Sequence, residues 1–153
     1  MAAKRSVGFI RRRGMALTHE TQHCIWLMQW AELNQRRIPV LRHLFHIPNE
    51  GKRSPAAGAI LKAMGLKPGV WDYFLPVPRH LNSTWYAGMW LEMKSPTKSL
   101  TKEQREFGAS MSDIGYRTEV CFSWYQAAAA VMKYLEKEEG QALWPTIPKT
   151  VSP

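Results

Sequence analysis

The chain has 153 residues, 45% hydrophobic and 22% charged, which suits one globular core and leaves little room for a second. Lys and Arg number 21 against 12 Asp and Glu, a formal charge of +9 with pI near 9.8, so nucleic acid is the first partner to expect and an acidic membrane surface the second. No run of about 18 apolar residues occurs, and the basic start Met1 to Arg13 lacks the apolar stretch of a signal peptide, which predicts an intracellular protein with no membrane association. Cys24 and Cys121, set among apolar neighbours and not in a Cys-x-x-Cys spacing, exclude a disulfide framework and a cysteine-built zinc site; both are expected to be reduced core thiols.

Residues 1–16, with Lys4, Arg5 and Arg11 to Arg13, lack a periodic pattern and predict a flexible basic arm ahead of a folded domain over 17–140. From Thr18 to Asn34 the spacing of Cys24, Leu27, Met28 and Ala31 predicts a helix, and one turn back along that stripe lies Glu20. Pro39 to Ile47 reads as a strand ending in the turn Pro48 to Gly51. Ser54, Pro55 and Gly65 bracket a short helix, and Lys67-Pro68-Gly69 is a turn. Val70 to Val77 is an apolar strand interrupted by Asp72, one of two aspartates in the chain. Arg79 to Tyr86 reads as a polar loop, and Gly88 to Lys94 as a strand that pairs with the previous one.

A helix follows from about Thr101 to Ile114, with Leu100, Phe107, Met111 and Ile114 forming its apolar stripe and Gln104 inside it. Tyr116 to Phe122 is rich in strand formers, and Gln126 to Glu139 predicts a last helix closed by Gly140. Residues 141–153, with Pro145, Pro148 and Pro153, read as a C-terminal tail. The order α, β, α, β, β, α, β, α predicts a single α/β domain with a mixed sheet flanked by helices.

Alternation along the strand at 88–94 puts Glu92 and Lys94 on one face. If Asp72 faces the same way, two carboxylates and an ammonium converge at the sheet edge. Close carboxylates repel unless a cation lies between them, and hard oxygen donors suit Mg²⁺ or Mn²⁺. An ion there has a task when the partner is a phosphate chain: polarising a phosphoryl oxygen and offsetting the leaving alkoxide, with Lys94 holding water or balancing charge. Glu20 can complete the metal shell, through water, from the first helix, and Gln104 can orient Lys94 or a phosphate. Gln104 has a second reading, because Thr101-x-x-Gln104 is a capping box. Glu20 likewise suits the first turn of a helix dipole. His19 and His23 have metal-capable spacing, as do His43 and His46, yet neither pair has a third soft ligand, and no chemistry is assigned to them. Trp26, Trp30, Trp85, Trp90, Trp124 and Trp144 are expected in the core or at a dimer surface rather than stacking on bases.

The order Glu20, Asp72, Glu92-Met93-Lys94 resembles the core motif of restriction-endonuclease-like nucleases. Ile47 to Arg53, Leu66 to Asp72, Leu75 to Pro78, Gly88 to Lys94 and Gln104 resemble more closely the virus-type replication-repair nuclease (VRR-NUC) family, over about Glu20 to Trp124. That resemblance implies a restriction-endonuclease-like α/β fold and metal-dependent hydrolysis of DNA. It implies Mg²⁺ or Mn²⁺ on Asp72, Glu92 and the Met93 carbonyl, Lys94 as catalytic lysine, and Glu20 and Gln104 in support. It further implies a homodimer acting on branched DNA, such as four-way junctions, in replication or repair, including in phage-infected cells. Trp71 stands where that motif usually has proline, and Glu50 where a second glycine is common, which leaves phosphate contact in that loop to Lys52 and Arg53. Lys67, Lys98, Lys102 and Arg105 are further candidates for a DNA groove, with Lys62 beside them. A duplex or flap nuclease without junction preference, and a noncatalytic nucleic-acid-binding module with a structural acid cluster, are the alternatives.

Overall fold

The fold begins where the hydroxyl of Thr18 accepts the Thr21 N–H and starts helix α1 (His19–Asn34). The structure, a computed structural model, describes residues 17–49, 51 and 53–136. The predicted arm over 1–16 and the tail over 141–153 lie outside the described residues. Leu27, Trp30 and Ala31 are buried on α1 and Cys24 and Met28 partly so, close to the predicted stripe. The strand predicted over 39–47 is instead a 3₁₀ helix (Pro39–His43) followed by a two-residue strand, β1 (Phe45–His46). The apolar residues that go inward, Ile38, Leu41 and Leu44, are three apart rather than two, and Pro39 lacks the N–H a sheet ladder needs.

Helix α2 (Pro55–Ala63) has Ser54 as its cap, with Gly65 in the left-handed conformation just beyond its end. Strand β2 is only Tyr73–Leu75, so Asp72 stands immediately before the strand rather than inside it. Pro76 and Pro78 stop the ladder. The predicted polar loop 79–86 is a hairpin, β3 (Arg79–Leu81) against β4 (Thr84–Tyr86), turned by Asn82 and Ser83 at positive φ. Strand β5 (Met89–Met93) and helix α3 (Lys102–Asp113) fall where the sequence places them. Strand β6 (Arg117–Cys121) leads into α4 (Trp124–Leu135), capped by Ser123 and ending short of the predicted Gly140.

The main sheet has the order β1-β2-β5-β6, antiparallel except for the parallel β5–β6 pair. Its inner face carries Tyr73, Leu75, Met89, Leu91, Met93 and Cys121, packed under α1 and α4. Full burial of a side chain such as Leu91 contributes about 1.5–3 kcal/mol, and slipping β5 by one residue would expose it together with Met89. That burial sets the register, and the register sends Trp90 and Glu92 to the opposite face, toward α3. On α4, Ala127, Ala128 and Val131 are buried in the core cluster, with Ala130 packed against it. Burial pushes the Cys121 thiol up to about 12 and the Cys24 thiol up to about 11, so both remain protonated, as core thiols should. Among the described residues no helix is long and apolar enough to cross a membrane.

The turn before Asp72 presses on α3. Gly69 has φ +79°, and a Cβ there would lie 2.4 Å from the Glu103 carbonyl carbon. Gly69→Ala is therefore expected to lower unfolding free energy by about 2–4 kcal/mol, adding backbone strain to overpacking, as read by urea denaturation. A variant as stable as the parent would show that the turn does not bear on α3.

Candidate active site

Asp72 lies one residue before β2, and Glu92 lies in its antiparallel neighbour β5. Tyr73 pairs with Leu91, so continuing that register by one residue sets Asp72 opposite Glu92. Asp72 is half-buried, and its Oδ2 accepts the Met93 N–H at 2.9 Å. Its backbone carbonyl accepts the Ile47 N–H at 2.7 Å, which ties the residue to the end of β1. The N–H and C=O of one strand residue point to the same edge, so the Met93 carbonyl also faces the side from which Asp72 approaches.

Glu92 is 1% exposed. Its Oε1 accepts from the Gln104 side-chain amide at 2.5 Å and lies 3.0 Å from Lys94 Nζ. Its Oε2 is buried without a hydrogen-bond partner. Burial, and then the neighbouring Asp72 carboxylate, push Glu92 up to about 7, against the opposing pull of Lys94. Lys94 is itself buried, at 7% exposure, and its backbone N–H is held by the Cys121 carbonyl. An acid pair that destabilises its own charge, with one oxygen left unsatisfied, is what a hard cation would relieve.

Gln104 performs both roles open to it. Its side-chain oxygen accepts the Thr101 N–H while its backbone N–H donates to the Thr101 hydroxyl, completing the capping box, and its amide reaches Glu92. Glu20 takes another position. Its Oε1 accepts the Ser95 N–H at 2.8 Å and its Oε2 lies 3.4 Å from Lys98 Nζ, so it holds the chain immediately after Lys94. Among the described residues no group of three or more His, Cys, Asp or Glu side chains gathers as a metal set. The groups that could hold a divalent ion here are two carboxylates and a backbone carbonyl, oxygen donors of the kind Mg²⁺ takes.

The basic residues are spread along the turn before Asp72 and the segment after Lys94. Lys67, Lys98, Lys102 and Arg105 are exposed. Lys102 pairs weakly with Glu106 at 3.7 Å, and Arg105 donates to the Leu100 carbonyl at 2.6 Å. The Arg53 guanidinium donates to the Pro48 and Asn49 carbonyls of its own loop. Lys52, with Glu50, lies outside the described residues.

Two supporting residues carry no mark in the sequence as site residues. The Asn49 amide donates to the Lys67 and Val70 carbonyls, stapling the exit of β1 to the turn before Asp72. Trp71, 3% exposed, donates its indole N–H to the Gln104 carbonyl at 2.8 Å. Of the other tryptophans, Trp30 is in the core, Trp90 and Trp124 are partly buried, Trp26 and Trp85 are exposed, and Trp144 lies outside the described residues. His19 and His23 face one another with 3.0 Å between their Nε2 atoms, and His23 Nδ1 accepts the Trp124 N–H at the start of α4. That bond gives His23 a structural part.

The mixed sheet of this α/β domain presents an acid pair and a buried lysine beneath a capped helix. The fold is VRR-NUC-like: the solved structure of a VRR_NUC domain protein superposes with a TM-score of 0.61 at 22% sequence identity, over 79% of this chain and 91% of that one. The chain matches no protein-family model and no curated protein.

Proposed function

We propose that this protein is a nuclease that hydrolyses DNA phosphodiester bonds with Mg²⁺ or Mn²⁺, acts preferentially on branched duplexes such as four-way junctions, and works as a homodimer. The observation that carries this reading is the convergence of Asp72, Glu92, Lys94 and Gln104 on one face of a VRR-NUC-like sheet, with a buried Glu92 oxygen unsatisfied. Asp72, Glu92 and the Met93 carbonyl would hold the ion, which when bound supplies polarisation of the phosphoryl oxygen and offsets charge on the leaving alkoxide.

The remaining work falls to the chain. Gln104 holds Glu92 Oε1, which leaves Oε2 for the ion. The Lys94 ammonium gives one of its three donors to Glu92, leaving two for the attacking water or a phosphoryl oxygen. Water attacks phosphorus and gives up one proton to solvent, the bond to the leaving sugar oxygen breaks, and that oxygen takes a proton back from solvent as negative charge peaks beside Lys94. Glu20, through Ser95, keeps the chain after Lys94 in place. Lys52, Arg53, Lys67, Lys98, Lys102 and Arg105 contact phosphates and set the duplex in register. Two cuts across a junction need two sites, and the uncovered helix α2 supports a dimer, with no described residue buried and Ile60 61% and Met64 77% exposed.

Labelled four-way junction, linear duplex and 5′ or 3′ flap, each with Mg²⁺, Mn²⁺ or EDTA, test the reading. Cleavage is expected with either ion, none in EDTA, and the junction is cut fastest, by a protein that sediments as a dimer. Equal rates on all three substrates would leave a nuclease without junction preference. Tight, salt-sensitive binding with no cleavage in either ion would replace the enzyme with a binding module.

A further inference from the structure

We infer that Trp71 is a positioning residue of this site, a strut that fixes the segment carrying Asp72 against the helix carrying Gln104. The inference rests on the nuclease reading above. The indole touches α3 in two ways, one turn apart on a single helix face. Its N–H donates to the Gln104 carbonyl at 2.8 Å, using the lone pair that the helix ladder leaves over. Its six-membered ring lies so close to Gly108 that a Cβ there would come within 2.3 Å of Trp71 Cζ2. Any larger residue at 108 would push the ring outward, and a phenylalanine at 71 would lack the donor.

The two contacts span the site. Trp71 directly precedes Asp72, whose Oδ2 accepts the Met93 N–H, while Gln104 donates to Glu92 Oε1. One side chain thus ties the position of the first carboxylate to that of the amide that aims the second. A proline at 71 would stiffen the backbone before Asp72 but would not reach α3. The ring achieves by tertiary contact what a rigid backbone does locally, and it adds control over Gln104.

Trp71→Phe in the full chain keeps a ring over Gly108 and removes the N–H. It is expected to melt cooperatively, and to lose about tenfold in Mg²⁺ affinity, measured by calorimetric titration of the metal alone, and about tenfold in kcat on DNA, with KM for DNA little changed. Gln104→Leu keeps the carbonyl that Trp71 bonds but removes the amide that holds Glu92, so it should show losses at least as large, and the double variant should lose less than the sum of the two, because both act on the aim of Glu92. Full Mg²⁺ affinity and kcat in Trp71→Phe, or losses that add to those of Gln104→Leu, would overturn the inference and leave Trp71 a core residue only. A wild-type protein that neither binds Mg²⁺ nor cuts DNA would overturn the nuclease reading and this inference with it, an outcome separate from a competent wild type indifferent to residue 71. Should Trp71→Phe fail to fold, the benzothiophene isostere of tryptophan, which keeps the ring shape and lacks the N–H, provides the same comparison.

Discussion

Lys94→Ala is expected to slow single-turnover DNA cleavage by about 10²–10³-fold while DNA binding in EDTA falls only slightly. Two effects add. The ammonium 3.0 Å from Glu92 Oε1 is lost as a donor to the reacting groups, and Glu92 loses the cation that lowers its proton affinity, so less of it is ionised near neutrality. Raising the pH should recover the second part of the loss but not the first. Asp72→Ala and Glu92→Ala remove metal ligands and should be at least as damaging. Lys98→Ala and Lys102→Ala, whose side chains are 63% and 76% exposed, should instead weaken binding and reduce its salt dependence with little effect on the saturated rate. Gel assays of rate with fluorescence anisotropy for binding separate the two classes. Cleavage by Lys94→Ala at the parent rate would remove that residue from the mechanism.

Glu92→Gln is expected to stabilise the metal-free protein at pH 8 and to do little at pH 5. In the fold the carboxyl is pushed up to about 7, against 4.5 for the same group exposed to water, because burial and then Asp72 disfavour its charge. Below the unfolded value both states hold the proton and the group is neutral to stability. As pH rises toward 7 the unfolded chain gives up its proton while the fold retains it, so stability falls, and above 7 the loss is complete at roughly 3 kcal/mol or less. Glutamine has no such loss and keeps the shape of the protonated acid. In EDTA, the difference in Tm between variant and parent should therefore grow by several degrees between pH 5 and 8, about 3–10 °C. Adding Mn²⁺ at pH 8 should raise the parent's Tm and leave the variant's nearly unchanged, because only the ionised carboxylate gains a partner. A difference in Tm that stays flat with pH would mean that Glu92 is ionised at no cost to the fold.

Such a stored cost explains why an acid is tolerated at 1% exposure in a strand that otherwise builds the core. The neighbouring inward residues Leu91 and Met93 hold β5 in register, and the site draws on that rigidity. Gln104 and Lys94 then hold Oε1, so the unsatisfied oxygen is confined to one direction.

Much of this arrangement is legible along the chain, where the interactions that decide it are local. Thr18, Ser54 and Thr101 begin helices because their hydroxyls bond an amide three residues on. Alternation from Met89 to Lys94 places Glu92 and Lys94 together because the pleat has a period of two. The motif order Asp72, Glu92-Met93-Lys94 points to the candidate site through its resemblance to a nuclease motif, while the pairing of β2 with β5 is what sets Asp72 opposite Glu92. The hairpin at 79–86 escapes such reading because Asn82-Ser83 lacks the glycine that usually marks its turn, and the 3₁₀ helix at 39–43 is masked by an apolar run that is strand-like in composition alone.

Other features depend on which distant segments meet. The Ser95 N–H finds Glu20 across 75 positions, and the Trp71 indole finds the Gln104 carbonyl across 33. Caps, turns and strand alternation were thus determined by the sequence itself, because each is settled among residues a few places apart. The turning of Glu20 toward Ser95 and Lys98, the raised proton affinity of Glu92 and the strut at Trp71 were decided only by the tertiary structure. Burial and long-range hydrogen bonds exist only once the sheet's core has brought α1, α3 and the strands together.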